Sequence, residues 1–236
     1  MNTSICFRSV TTTNPGPSSQ LKSGSSSRSN RLTLTSINNH HKFLRNRRSI
    51  RRFKPDPVPD SVIQDILTTA TYAPSAHNRQ PWRFAVVTDE SVKEKLANAM
   101  AAEFERDLEK DNFPPDEIQK LTSRSQKRII GAPVVIILCL DMSEMDVYPD
   151  KKRGKAEYLM AVQSVANAGM QMLLASHAEG LGGVWVCSPL FVQETIQLNL
   201  ALPKTWEPQA MIILGYPADI PISRERKSTH DITIYK

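Results

Sequence analysis

The sequence predicts an α+β fold in which a mixed central sheet is sandwiched by helices. Three features carry that expectation. Short apolar runs alternate with helical periodicities. Two or three helices intervene between some strands, which departs from the strict alternation of a doubly wound sheet. No glycine-rich loop follows a strand, so a dinucleotide-binding fingerprint is absent.

The elements follow in order. Asp56-Pro57-Val58-Pro59-Asp60 punctuates the chain, and Val62, Ile63, Ile66, Leu67 and Ala70 then recur at helical spacing. That helix ends before Pro74, because a residue preceding proline is pushed out of the helical region. Trp82–Val87 reads as a strand, Ser91 to about Lys110 as a charged amphipathic helix. Pro114-Pro115-Asp116-Glu117 opens a further helix that closes near Gly131-Ala132-Pro133. Val134–Leu140 is β-branched and almost wholly apolar, as a central strand covered on both faces requires. The longest helix is expected from about Gly154 to Glu179, apolar around most of its circumference, as in a core or an interface. Gly169 in its middle costs roughly 1 kcal/mol against Ala, which suggests close packing there. Gly180-Leu181-Gly182-Gly183 terminates it before strand Val184–Cys187. A short helix at Phe191–Leu200, a strand at Ala210–Gly215 and a polar C-terminal segment complete the chain.

Charge is unevenly placed. Residues 1–54 hold eleven Lys/Arg and no acid, leaving 19 basic against 24 acidic groups in the remainder. The body is thus mildly acidic, which argues against nucleic acid as a partner. Residues 1–42 contain sixteen Ser/Thr, five Lys/Arg and no Asp or Glu. Too little apolar surface is present there to offset ordering entropy, so the segment is expected to be unstructured. Its Ser-rich, acid-free character fits an organelle transit peptide, plastid (chloroplast) before mitochondrion, with a plain disordered tail as the alternative. The folded domain is then 43–236. Cys6, Cys139 and Cys187 have no paired spacing, so neither a disulfide framework nor a metal site is expected, and Cys139 and Cys187 read as small buried hydrophobes. No run of 18 apolar residues occurs, so no membrane span is expected.

Two stretches carry chemistry. Arg47, Arg48, Ser49 and Arg51 combine guanidiniums with a hydroxyl, the donor set that neutralises a phosphate monoester. A solvated basic stretch, or a helix cap at Ser49, would look the same. In Pro74-Ser75-Ala76-His77-Asn78-Arg79-Gln80-Pro81-Trp82, prolines hold both ends. Asn78 and Gln80 match the edge of a uracil-like ring, and backbone around Ser75 can line its plane. A helix–strand connection with an Asn turn is the plainer account. His77 has no nearby carboxylate in sequence and reads as a loop histidine facing water. Together the two stretches point to flavin mononucleotide (FMN).

Over nearly all of 43–236 the chain resembles the nitroreductase-like family of FMN enzymes. The likeness rests on Arg47–Phe53, on Ala73–Trp82, on Gly180–Trp185 and on a late Arg-Lys pair. It implies that Arg47, Arg48 and Ser49 bind the phosphate and that Arg51 lies near the pyrimidine end of the flavin. Pro74, Ser75, Ala76 and Asn78 would reach the flavin of a partner subunit. Cys187 and Ser188 would offer backbone N–H to the N5 and O4 region, and Arg226, with Lys227 beside it, would bind phosphate from the C-terminus. Many nitroreductases carry an acidic residue and a glycine where this chain has Cys187 and Ser188. A narrower likeness, in Gly180–Ser188, Leu202–Pro208 and Asp231–Lys236, is to the flavin domain of enzymes that mature the deazaflavin coenzyme.

The resemblance implies a shared-site homodimer in which hydride passes from NAD(P)H through flavin N5 to a small oxidant: a nitroaromatic, a quinone, free flavin or an unsaturated cofactor precursor. The flavin carries the electron chemistry, so no catalytic side chain is expected. An FMN carrier without turnover is the alternative from another class, and a cofactor-free helical interaction module is a third.

Overall fold

The computed structural model describes residues 34–236. Residues 1–33, and with them most of the expected leader, lie outside the described residues. Helix α1 (Leu34–Asn46) covers 34–42, inside the segment expected to be unstructured. Phe43 stacks on His177 with ring centroids 4.7 Å apart, and Arg45 lies in the last turn, where the helix dipole favours a cation.

Four strands form one sheet: β1 (Trp82–Val87), β2 (Val134–Asp141), β3 (Gly182–Val186) and β4 (Trp206–Gly215), in the order β1-β2-β4-β3. All three pairings are antiparallel. Strands β2 and β3 do run the same way, but β4 inserts between them and pairs antiparallel to each. Among the described residues the parallel component of the expected mixed sheet is the single bridge between Ser49 and Gly183.

Strand β2 is buried along its whole length. Val134, Ile136, Leu138 and Leu140 face α2 (Asp60–Ala70) and α5 (Lys151–Ala178). Val135, Ile137 and Cys139 face α3 (Glu90–Lys110), α4 (Pro115–Ile130) and α6 (Gln193–Asn199). Helices therefore cover both faces, as the apolar run of β2 required.

Helix α5 starts at Lys151, earlier than expected, because Asp150 caps it by accepting the Arg153 N–H at 3.0 Å. It is not enclosed all round. Ala161, Val165, Ala168 and Met172 are buried against the sheet, while Leu159 and Met170 are 49% and 45% exposed on the outer side. Strand β4 begins four residues before the expected Ala210, taking in Trp206, Glu207 and Pro208, with a register shift opposite Leu138/Cys139.

The segment Ser49–Lys54 straps the β3 edge. Ile50 N–H donates to Gly183 O at 3.1 Å, and Lys54 N–H to Tyr216 O at 2.9 Å. The strap lies so close that a Cβ on Gly182 would stand 2.6 Å from Ile50 Cβ. The glycine pair read as a helix terminator is thus the part of β3 that admits the strap. A short helix α7 (Thr229–Ile232) lies near the C-terminus. Among the described residues no helix is long and apolar enough to cross a membrane.

Candidate functional site

The strap sets the first group of expected site residues at the β3 edge. Arg47, Arg48 and Ser49 are half-buried and Arg51 is exposed. Burial pushes the Arg47 pKa below its ordinary value, and repulsion from Arg48 and then Arg226 lowers it further. Arg226 thus returns from the far end of the sequence to the vicinity of Arg47. Among the described residues no carboxylate forms an ion pair with Arg47, Arg48 or Arg226. The neighbouring Arg52 is different: Asp219 accepts from its Nε at 3.1 Å and its Nη2 at 2.6 Å. Half-buried Arg47 and Arg48, with the exposed Arg226 nearby and no counter-ion, form a ready site for an anion such as phosphate. Lys227 lies beside Arg226 and is exposed.

The end of β3 supplies Cys187 and Ser188. Ser188 Oγ is shut off from solvent with no hydrogen-bond partner, an unmade bond that a buried hydroxyl does not normally leave. Cys187 is exposed, not buried as expected, and its Sγ accepts a hydrogen bond from Trp185 Nε1 at 3.1 Å. Cys139 is buried as expected, and burial pushes its thiol up to about 12.

The Pro74–Trp82 loop is fastened to α5 at the other end of the sheet order. Ser164 Oγ accepts the Ala76 N–H at 3.1 Å, and Asn167 Nδ2 donates to Pro74 O at 3.2 Å. Within the loop Ser75 Oγ accepts the Gln80 N–H at 3.1 Å. The Gln80 amide donates to Asn78 Oδ1 at 3.3 Å, so the two expected ring-edge readers meet. His77, Asn78 and Gln80 have φ of 49°, 54° and 50°. Such left-handed backbone in non-glycine residues stores strain that surrounding contacts must hold. Pro74, His77, Asn78 and Gln80 are exposed and Ser75 and Ala76 half-buried.

The two groups lie at opposite edges of the sheet. Strap, Cys187 and Ser188 belong to the β3 edge, and the loop leads into β1 at the opposite edge. Three interstrand spacings separate the edges, about 14 Å.

A cleft of about 820 Å³ opens beside Arg51, Val186 and Ser188. Its far wall comes from α3 and α4 and includes Phe104, Leu108, Arg124 and Arg128. Sequence reasoning missed this wall. The available signal was Arg124 and Arg128, four residues apart and hence on one helix face. It also missed Ser164 and Asn167, polar residues of α5 whose role is tertiary. Among the described residues no three His, Cys, Asp or Glu gather as a metal site.

Comparison with known proteins agrees with this fold. The family model described as "Nitroreductase family" matches residues 44–216. YfhC of Bacillus subtilis, assigned as an NAD(P)H nitroreductase, is 29% identical over 189 residues, 80% of this chain and 90% of the relative. An NADH dehydrogenase of Thermus thermophilus is 29% identical over 197 residues, 73% of this chain and 84% of the relative. A structure from Desulfovibrio desulfuricans, of a protein assigned as a nitroreductase in complex with FMN, superposes with a TM-score of 0.63 at 27% identity. It covers 83% of this chain and 95% of its own.

Proposed function

The chain belongs to the nitroreductase family, and from that premise we propose that it is an FMN-dependent NAD(P)H oxidoreductase acting on a small-molecule oxidant. One observation carries the reading: Arg47, Arg48 and Arg226 gather at the β3 edge without a counter-ion. The FMN in a related structure supports the cofactor, and the names of the two relatives support a reduced nicotinamide as donor.

The residues present fit FMN. Arg47, Arg48, Ser49 and Arg226, with Lys227 alongside, would hold the phosphate. The Cys187–Ser188 backbone and the unpartnered Ser188 hydroxyl would meet the polar rim of the ring. Arg51 would set a fixed positive charge near the pyrimidine end, where preorganised charge favours an anionic reduced ring. FMN held by these residues would supply the electron chemistry between NAD(P)H and a nitroaromatic, quinone, free flavin or unsaturated cofactor precursor. The protein's part is to bind, orient and exclude water, and no side chain acts as a nucleophile.

The same reading includes a homodimer. Pro74, Ser75, Ala76, Asn78 and Gln80 stand at the opposite edge of the sheet from the β3-edge site, and in this reading they would serve the partner's. The exposed apolar residues of α5, and Ile220, Ile222, Ile232, Ile234 and Tyr235 of the C-terminal segment, are candidates for burial in such an interface.

The test is spectroscopic. Purified protein should carry a visible flavin spectrum that reduced nicotinamide bleaches without oxygen and that a small quinone restores. A colourless protein that takes up no FMN overturns the reading, and a spectrum that persists under reduced nicotinamide reassigns it to a carrier.

A further inference from the structure

The cleft beside Arg51 continues past the residues assigned above to the flavin. Beyond Val186 and Ser188 its wall is apolar at Met100, Phe104 and Leu108 and cationic at Arg124 and Arg128. Its volume of about 820 Å³ lies in the range that holds a small ligand.

The cations of this wall are separate from the phosphate cluster. The cleft lining includes Arg51, Arg124 and Arg128 and none of Arg47, Arg48 and Arg226, and the charges that depress the Arg128 pKa after its burial are likewise Arg124 and Arg51. Two groups of like charge therefore exist where one phosphate needs one. Arg124 and Arg128 stand one turn apart on α4, an arrangement that destabilises a helix unless something offsets it. The acids of α4, Asp116 and Glu117, are confined to its first turn. Lys110, also in the lining, is paired with Asp107 at 3.0 Å. Asp111 is the remaining acid of the cleft and makes no ion pair among the described residues. Arg51, Arg124 and Arg128 are likewise without a carboxylate partner there, and they outnumber Asp111.

We propose that Arg124 and Arg128 are specificity-determining residues that favour, over the flavin, ligands with an apolar ring and an anionic arm, phosphate or carboxylate. The inference rests on the oxidoreductase reading of the site and names the substrate class that reading leaves open. The ring would lie toward Val186 and Phe104, and the anion would meet the guanidinium pair, which binds phosphate and carboxylate through the same forked hydrogen bonds. The anion has two sources, the 2′-phosphate of NADPH or an acidic group on the oxidant.

The experiment uses the full chain loaded with FMN, with Arg124→Gln/Arg128→Gln and Arg124→Lys/Arg128→Lys variants. One arm compares kcat/KM for NADPH and NADH against a neutral quinone, with calorimetric titration of NADP+ and NAD+ as a readout without turnover. The other arm compares a carboxylated and a neutral benzoquinone with NADH as donor. In at least one arm the Gln variant should lose about 10-fold or more in kcat/KM for the anionic member, the loss expected for charge-assisted hydrogen bonds. The neutral member should change less than about twofold, the Lys variant should recover part of the loss, and added salt should weaken the wild-type preference. The arm that responds identifies the source of the anion. Equal losses for charged and neutral members, or no loss in either arm, overturns the proposal while leaving the oxidoreductase reading in place. A wild-type protein without flavin, or one that reduced nicotinamide does not bleach, instead marks failure of the parent reading.

Discussion

The two edges of the sheet are built on opposite plans. At the β3 edge, cations gather without a counter-ion: Arg47, Arg48 and Arg226 have no carboxylate partner, Arg48 and Arg226 donating only to nearby backbone carbonyls, and the Ser188 hydroxyl is buried and unbonded. At the β1 edge, the Pro74–Trp82 loop is strained yet internally bonded, with Ser75, Ser164 and Asn167 closing its backbone and side-chain hydrogen bonds. One edge gathers cations, whereas the other is closed by its own hydrogen bonds. The contrast fits the shared site proposed above, in which the β3 edge would receive the anion and the loop would serve the flavin of a partner chain.

The sharpest way to break the comparison is to empty the β3 edge. Arg47→Ala/Arg226→Ala should weaken FMN by about 100-fold or more, since each charge-assisted hydrogen bond is worth about 1.5–3 kcal/mol. Fluorescence titration with FMN measures it, and the thermal midpoint of the apoprotein should hold or rise as like-charge repulsion is relieved. Next in size is Gly169→Ala. The added Cβ would lie 2.2 Å from Trp185 Cζ3 and 2.7 Å from Leu138 Cδ2, so stability should fall by about 1–3 kcal/mol in denaturant titration. Through Trp185, which bonds Cys187, the change should also disturb the β3 edge more than the β1 loop.

Cys139 probes the sheet that the two edges share. Its thiol is held near 12 in the folded chain against an ordinary value of 9.0. The unfolded chain therefore releases this proton first as pH rises. The stabilisation is fully present below pH 9 and is lost between pH 9 and about 12, at about 1.4 kcal/mol per pH unit. Denaturation of Cys139→Ala across that window should show a correspondingly shallower decline. The smallest effect is expected from Ser75→Ala, which frees the Gln80 N–H at a cost of about 0.5–1.5 kcal/mol. Hydrogen exchange should quicken at Gln80 and remain unchanged at Ile50, whose N–H belongs to the other edge.

Much of this architecture is legible in the residues. The apolar run of β2 declared a strand covered on both faces, and the proline-bounded density of Ser, Asn and Gln marked the β1-edge loop. Other parts are written in tertiary contacts. Glu207 at the start of β4 looks like a loop residue, yet its carboxylate accepts from Gln193 at 3.1 Å and Gln209 at 2.8 Å and takes the Tyr158 hydroxyl. The arginine-rich strap has no strand alternation, and only the absent side chain of Gly182 lets it join the sheet edge. Cys187 ends an apolar run, which suggested burial, but the chain leaves the sheet there and turns it outward. The cationic wall of the cleft needed the folding of α3 against α4 before Arg124 and Arg128 acquired a common target.

The most direct test of the proposed phosphate-binding cluster is a calorimetric titration of the wild-type apoprotein with FMN and with riboflavin, which share a ring and differ in the phosphate. Tighter binding of FMN by about 100-fold or more is the predicted result, as several guanidiniums act on one anion. Equal affinity for the two, or no binding of either, would contradict it.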